Sequence, residues 1–435
     1  MRQPVIGESS ARWLLVLCGA RGSLTTQVAA SVAAYSGAVH LPEHAVGPQC
    51  SGRPDEHDRG KERDQRLVAE VARQLNTTDR VVVELSATAT ARVAQGVPEA
   101  LADVSGAWQI PLLVVELTTS AVAIERRRSA RSAWVSTRPD CRQEAADLDD
   151  TQPSWPSEAI GGVAGISTHG LTAEQIAAWL RPVLIGPRRP CDLRQHLERR
   201  MSMRSLRGRP VDGHPGTKLI SGQLARDGAD RRLLDRWWRS TVIDENTDQP
   251  VIARETFRWI EQFDKSARGM GWPVSNAGLL HTYGYLMSTA WTPYGWKGDR
   301  YFDGTLAALL GVDLDDLTPW ARHGTVLANL TVALDRLMAS SRPDYLVVET
   351  GRFAMASGDV VRGRLRTRIY PRNHTLSERL LVYTVAFSDT GTERYITSFP
   401  VGSSGVEAIL ADEQPRSRFN IAGELLSGSR SVRRP

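Results

Sequence analysis

Residues 279–303, LLHTYGYLMSTAWTPYGWKGDRYFD, gather aromatic, His, Lys and Arg side chains where a turn interrupts a helix-like segment. His281 and Tyr285 stand four apart and share one helical face, while Tyr283 projects elsewhere. Pro293 and Gly295 break the helical pattern and open a loop carrying Tyr294, Trp296, Lys297 and Arg300. Such a loop sets flat aromatic rings beside cations and suits an anionic, ring-bearing or sugar-like substrate. On this reading His281 and Tyr285 handle a proton and orient the substrate, and Tyr294, Trp296, Lys297 and Arg300 bind it. The competing reading is packing alone, because tyrosine and tryptophan are common at subunit contacts.

A second chemical stretch lies near the start. The apolar run Trp13–Cys18 leads into Gly19-Ala20-Arg21-Gly22-Ser23-Leu24-Thr25-Thr26 and then a small-residue segment to about Tyr35. The pattern predicts strand, glycine loop and helix, and such a helix N-terminus is a ready site for an anion. Gly19, Arg21, Gly22 and Ser23 are the candidate cofactor-binding residues. The loop is not a Walker A motif, because the Gly-Lys-Ser/Thr ending is absent, and it does not complete G-x-G-x-x-G. Glu43 stands where a ribose-binding acid is expected after such a loop. His40 and His44 are i and i+4, but Pro42 between them argues against a helical metal pair.

The glycine loop resembles the GxxGS-x-TT type found in inositol-phosphate synthases, which are NAD enzymes. Val81-Val82-Val83-Glu84-Leu85, followed by Ser86, Thr88 and Thr90, is similar to the fourth-strand region of homoserine-dehydrogenase-like Rossmann domains. The resemblance implies a dinucleotide-type fold with NAD or NADP on the first loop. It carries no catalytic lysine or metal ligand of either family onto the rest of the chain.

The run Val83-Glu84-Leu85 is echoed by Val115-Glu116-Leu117, and Tyr345–Thr350 is a third strand-like run, with Glu349 near its end. Glu84 and Glu116 are therefore expected at the carboxyl ends of parallel strands, where open sheets bind ligands. Pairing with arginine is the alternative role for each. Gly161 to Gly170 carries spaced glycines with Ser167, Thr168 and His169, making His169 a third catalytic candidate. Thr172 stands three residues before Gln175 in a capping-box pattern.

The elements that must position these groups follow from length and composition. A chain of 435 residues predicts two domains. We expect an α/β fold: a Rossmann-like parallel sheet domain at 1–128, a linker or excursion at 129–160, an α+β substrate or oligomerisation domain at 161–425, and a flexible tail at 426–435. The 54 basic and 49 acidic residues give a net charge of +5. Lys61, Lys218, Lys265 and Lys297 are the only lysines, so the arginine excess reads as a coding preference and not as a nucleic-acid surface. The arginine run at 188–209 lacks interleaved aromatics and includes Asp192 and Glu198, which favours a solvated helix. The four cysteines are widely spaced, read as reduced thiols, and form no metal knuckle. With no signal peptide or apolar span of about 20 residues, a cytoplasmic protein without membrane contact is expected.

These features make an NAD(P)-linked oxidoreductase acting on a small anionic or sugar-like substrate the leading expectation. The alternatives are a metal-independent hydrolase or group transferase using His/Glu chemistry, and a non-catalytic assembly protein. Expected partners are a small-molecule substrate and a homo-oligomeric copy, with no nucleic acid.

Overall fold

The computed structural model describes residues 12–19, 24–42, 56–86, 97–108, 110, 112–118, 163–168, 171–184, 193–206, 208–265, 271–288, 290–292, 295–355, 358–371, 376, 378–387, 391–415 and 418–435. The chain folds as two compact units. One comprises Met1–Ile185 with Cys191–Glu198, and the other Gly186–Pro190 with Arg199–Pro435.

The first unit is built on a parallel sheet of β1 (Trp13–Gly19), β2 (Val39–Leu41), β3 (Arg80–Ser86), β4 (Leu112–Thr118) and β5 (Val163–Ser167). The spatial order is β2-β3-β1-β4-β5. All seven residues of β1 are buried, as expected of a central strand covered on both faces. Helices α1 (Thr25–Ser36), α2 (Glu56–Leu75), α3 (Val97–Trp108) and α4 (Ala173–Leu184) accompany the sheet. The α2 face carrying Leu67, Val71 and Leu75 packs with Leu14, Val16, Val81 and Val83 of the strands, the i, i+4, i+8 spacing of one helical stripe. The edge strand β5 comes from beyond residue 160, while the predicted excursion itself lies outside the described residues.

Helix α5 (Leu193–Ser205) begins in the first unit's residues and ends in the second's. The second unit holds α6 (Pro215–Ala229), α7 (Arg231–Asp235), α8 (Arg254–Glu261), α9 (Thr305–Leu310), α10 (Val326–Ser340) and α11 (Ser403–Ala411). Two short ribbons, β6 (Arg239–Thr241) with β7 (Val274–Asn276) and β8 (Trp291–Thr292) with β9 (Gly295–Trp296), precede its main sheet. That sheet is antiparallel and comprises β10 (Tyr345–Met355), β11 (Val360–Tyr370), β12 (Arg379–Phe387), β13 (Arg394–Val401) and β14 (Gly423–Arg433), in the order β13-β12-β11-β10-β14. The chain is thus an α/β protein with a Rossmann-like parallel sheet and a separate α+β unit. Most of the tail expected to fray is β14, paired along β10 from Met355 to Leu346. Among the described residues no helix is long and apolar enough to cross a membrane.

One buried polar network fixes the segment that carries the second unit's candidate site. Tyr283 donates its hydroxyl to Asp227 Oδ2 at 2.5 Å, and Thr325 donates to Asp227 Oδ1 at 2.6 Å. Gln223 Nε2 donates to the Pro319 carbonyl at 2.9 Å, and its Oε1 accepts from Val326 N–H at 3.0 Å. A buried carboxylate satisfied in this way ties α6, α10 and residues 280–284 into one geometry.

Candidate functional site

In the first unit, the register sets Leu17 of β1 opposite Glu84 of β3, and Cys18 opposite Glu116 of β4. Both glutamates therefore flank the carboxyl end of the central strand, where ligands bind in open α/β sheets. Glu84 accepts a hydrogen bond from Thr26 Oγ1 at 2.5 Å and lies 3.2 Å from His40 Nε2. Burial pushes the Glu116 carboxyl above its ordinary value. Leu24, immediately before α1, has φ 74° and ψ 10° and makes no side-chain cap. A leucine in this left-handed region is strained by about 1–2 kcal/mol, and such outliers cluster at ligand sites.

In the second unit, residues 280–284 form a π-helical turn, a form that recurs at functional sites. His281 and Tyr285 stack with centroids 4.7 Å apart and planes at 18°, while Tyr283 points into the Asp227 network. Ser240 donates its single hydroxyl proton to the Asn420 carbonyl, so His281 Nε2 carries a proton and donates to Ser240 Oγ at 2.9 Å. Tyr301 donates to the His281 carbonyl at 2.7 Å. Burial, with Lys297 adding to it, lowers the His281 pKa to about 3. Burial also pushes the Tyr285 hydroxyl far above its ordinary value. Both shifts keep the two rings uncharged near neutral pH, where they stand as a stacked wall of the site.

Lys297 precedes a 3₁₀ turn, Gly298–Tyr301, and Arg300 follows it by three residues. At three residues per turn the two cations lie one above the other. The turn abuts the preceding backbone closely, since a Cβ on Gly298 would stand 3.2 Å from the Tyr285 carbonyl oxygen. Lys297 Nζ lies 3.3 Å from Asp244 Oδ2 and 5.2 Å from the Tyr285 ring centre. Asp244 in turn accepts from Asn246 N–H at 3.0 Å, an Asx turn that fixes its side chain. Arg300 lies over the rings of Phe399 at 4.6 Å and Tyr285 at 5.4 Å. Burial, with Arg300 alongside, brings Lys297 down to about 7. Phe419 and Asn420, with φ of 59° and 64°, complete the wall of a small cavity lined also by Asp244, Glu245, Tyr285, Lys297, Arg300 and Phe399.

The structure thus brings His281, Tyr285, Lys297 and Arg300 together. Gly19 ends β1 beside Ser86 and Leu117. Arg21, Gly22, Ser23, Glu43, His44, His169 and Tyr294 lie outside the described residues, as does the side chain of Trp296. Glu349 is buried between Arg418 at 3.9 Å and Arg430 at 3.6 Å. Sequence reasoning missed Thr26 as the partner of Glu84, and Asp244 and Ser240 as partners of Lys297 and His281. Among the described residues no group of three or more His, Cys, Asp or Glu could hold a metal ion.

No protein-family model and no curated protein matches the sequence. Solved structures overlap part of it. An APS kinase of Mycobacterium tuberculosis shares 17% identity over 38% of this chain and 94% of its own, with a TM-score of 0.28. A gluconokinase of Sinorhizobium meliloti shares 16% identity over 38% of this chain and 87% of its own, with a TM-score of 0.24. A Janibacter sugar kinase shares 14% identity over 38% and 90%, also with a TM-score of 0.24. These descriptions name kinases, where an inositol-phosphate synthase, a homoserine dehydrogenase or another NAD-linked enzyme was expected. Likeness at this level carries nothing about activity, but the sheet order bears on the same point. Dinucleotide sheets set β2 beside β1 so that an acid after β2 reaches the ribose. Here β3 stands between them, which moves β2 about 10 Å from β1. The expectations of an NAD(P)-linked oxidoreductase, of NAD or NADP as cofactor, and of kinship with those two families are corrected accordingly.

Proposed function

We propose that the first unit binds the phosphate chain of a nucleoside triphosphate at the β1–α1 turn and that the protein is a phosphoryl-group transferase. The observation carrying this reading is the Thr26–Glu84 hydrogen bond at 2.5 Å, joining the first turn of α1 to the end of the strand beside β1. Counted from Gly19, Thr26 occupies the Ser/Thr position of G-x-x-x-x-G-K-[ST], and Leu24 adopts a left-handed backbone where that pattern has its second glycine. Thr26 and Glu84 are the residues that would hold a Mg²⁺ ion here, and the ion would neutralise phosphate charge. The positive dipole end of the α1 N-terminus would favour an anion there. Arg21 is the cation that the sequence places between Gly19 and Thr26. His40, against the other oxygen of Glu84, orients the carboxylate.

A second reading, nucleotide binding without transfer, is favoured by one observation. The motif's lysine is replaced by Thr25, which is buried and uncharged. An assay for loss of the terminal phosphate, with hexoses and small alcohols as acceptors, separates the two. Turnover that disappears in Thr26→Ala supports transfer. Saturable binding with no turnover, with water or any acceptor, contradicts transfer and leaves the binding reading.

A further inference from the structure

Arg300 is 7% exposed, and its Nε and Nη2 are fully buried with no hydrogen-bond partner among the described residues. Its contacts there are the faces of Phe399 and Tyr285. These two nitrogens form the side-on fork of the guanidinium, the geometry that receives a planar oxyanion through two parallel bonds. Burying a cation's donors without acceptors is unfavourable, and ring faces offset only part of that cost. Lys297 stands three residues before it and lines the same cavity. The acids at this cavity are already engaged: Asp244 faces Lys297, and Glu245 accepts from Phe419 N–H. Strained backbone at Phe419 and Asn420 holds the opposite wall.

We propose that Arg300 and Lys297 form a receptor for the carboxylate of a small organic acid in the second unit, independent of the nucleotide reading. The cavity has a volume of about 10 Å³, which is about the size needed for one water. It admits the tip of a planar carboxylate, whereas a tetrahedral phosphate needs more room. The two carboxylate oxygens then accept from Nε and Nη2 of Arg300, with the Lys297 cation on the same cavity. The body of the acid stays outside the cavity.

The test uses the full chain in carboxylate-free buffer at fixed ionic strength, with formate, acetate, phosphate and chloride as separate probes in calorimetry and thermal unfolding. Formate or acetate is expected to bind saturably and raise the unfolding temperature. Arg300→Lys keeps the charge but loses the fork, and is expected to bind roughly tenfold more weakly. Arg300→Met removes the guanidinium and is expected to unfold no lower than wild type without ligand, yet gain nothing from carboxylate. Lys297→Gln gives a second variant, expected to weaken binding while leaving the fork. No response to formate or acetate in folded wild type would overturn the proposal. So would tighter binding of phosphate or chloride, or Arg300→Lys binding carboxylate as well as wild type.

Discussion

Lys297 and Asp244 pair at 3.3 Å with side-chain exposures of 5% and 2%, so a lysine charge is held almost out of water by one carboxylate. Burial brings the lysine from 10.5 to about 7, with Arg300 pushing the same way and Asp244 and Glu245 opposing. Between about 7 and 10.5 the unfolded chain holds the proton more tightly than the folded one, so this group makes stability rise with pH across that window. Urea midpoints from pH 7 to 9.5 are expected to rise more steeply in wild type than in Lys297→Met. Parallel curves would show that the lysine titrates normally.

His281 works in the acid range with the same sign. Its folded pKa of about 3 lies below the ordinary 6.5, so the unfolded state takes up the proton first as pH falls through that interval. Stability drops by about 1.4 kcal/mol for each pH unit between the two values. His281→Gln should flatten the wild-type loss between pH 6.5 and 4, as followed by chemical denaturation at each pH. An unchanged slope would mean that His281 is not held neutral.

The π-helical turn depends on the absence of a side chain at Gly284. A Cβ there would stand 2.4 Å from Ile252 Cδ1, in a core where Ile252 is 1% exposed. Gly284→Ala should destabilise by about 1–3 kcal/mol through overpacking, and Gly284→Ala with Ile252→Val should recover part of that. A neutral single variant would show that the turn has slack.

Leu24 offers a test in the opposite direction. Its φ of 74° suits glycine, so Leu24→Gly is expected to raise stability by about 1 kcal/mol, net of the extra freedom glycine gives the unfolded chain. The equilibrium unfolding midpoint checks it. A clear loss would mean that the leucine side chain contributes more than its backbone costs.

The sequence carried the frame of both sites, because periodicity and turn chemistry are local. The repeated Val-Glu-Leu runs placed Glu84 and Glu116 at strand ends, and the i, i+4 spacing paired His281 with Tyr285. Partners far along the chain were not legible. Asp244 lies over fifty residues before Lys297, and Ser240 forty-one before His281, so no local spacing reveals either pair. The β14 strand was missed because its Ser, Gly and Arg residues look like a tail; its pairing rests on backbone bonds to β10. The sheet order, which decides against a dinucleotide site, depends on where β3 inserts, and no local pattern encodes that.

The bond between Thr26 and Glu84 is most directly tested by calorimetric titration of the folded full chain with Mg·ATP, beside Glu84→Gln and Thr26→Ala checked for unchanged unfolding. Saturable binding by wild type, weakened roughly tenfold or more in each variant, is the predicted result. No saturable heat in folded wild type free of prebound nucleotide, or equal binding by all three proteins, would contradict a phosphate site at the end of β1.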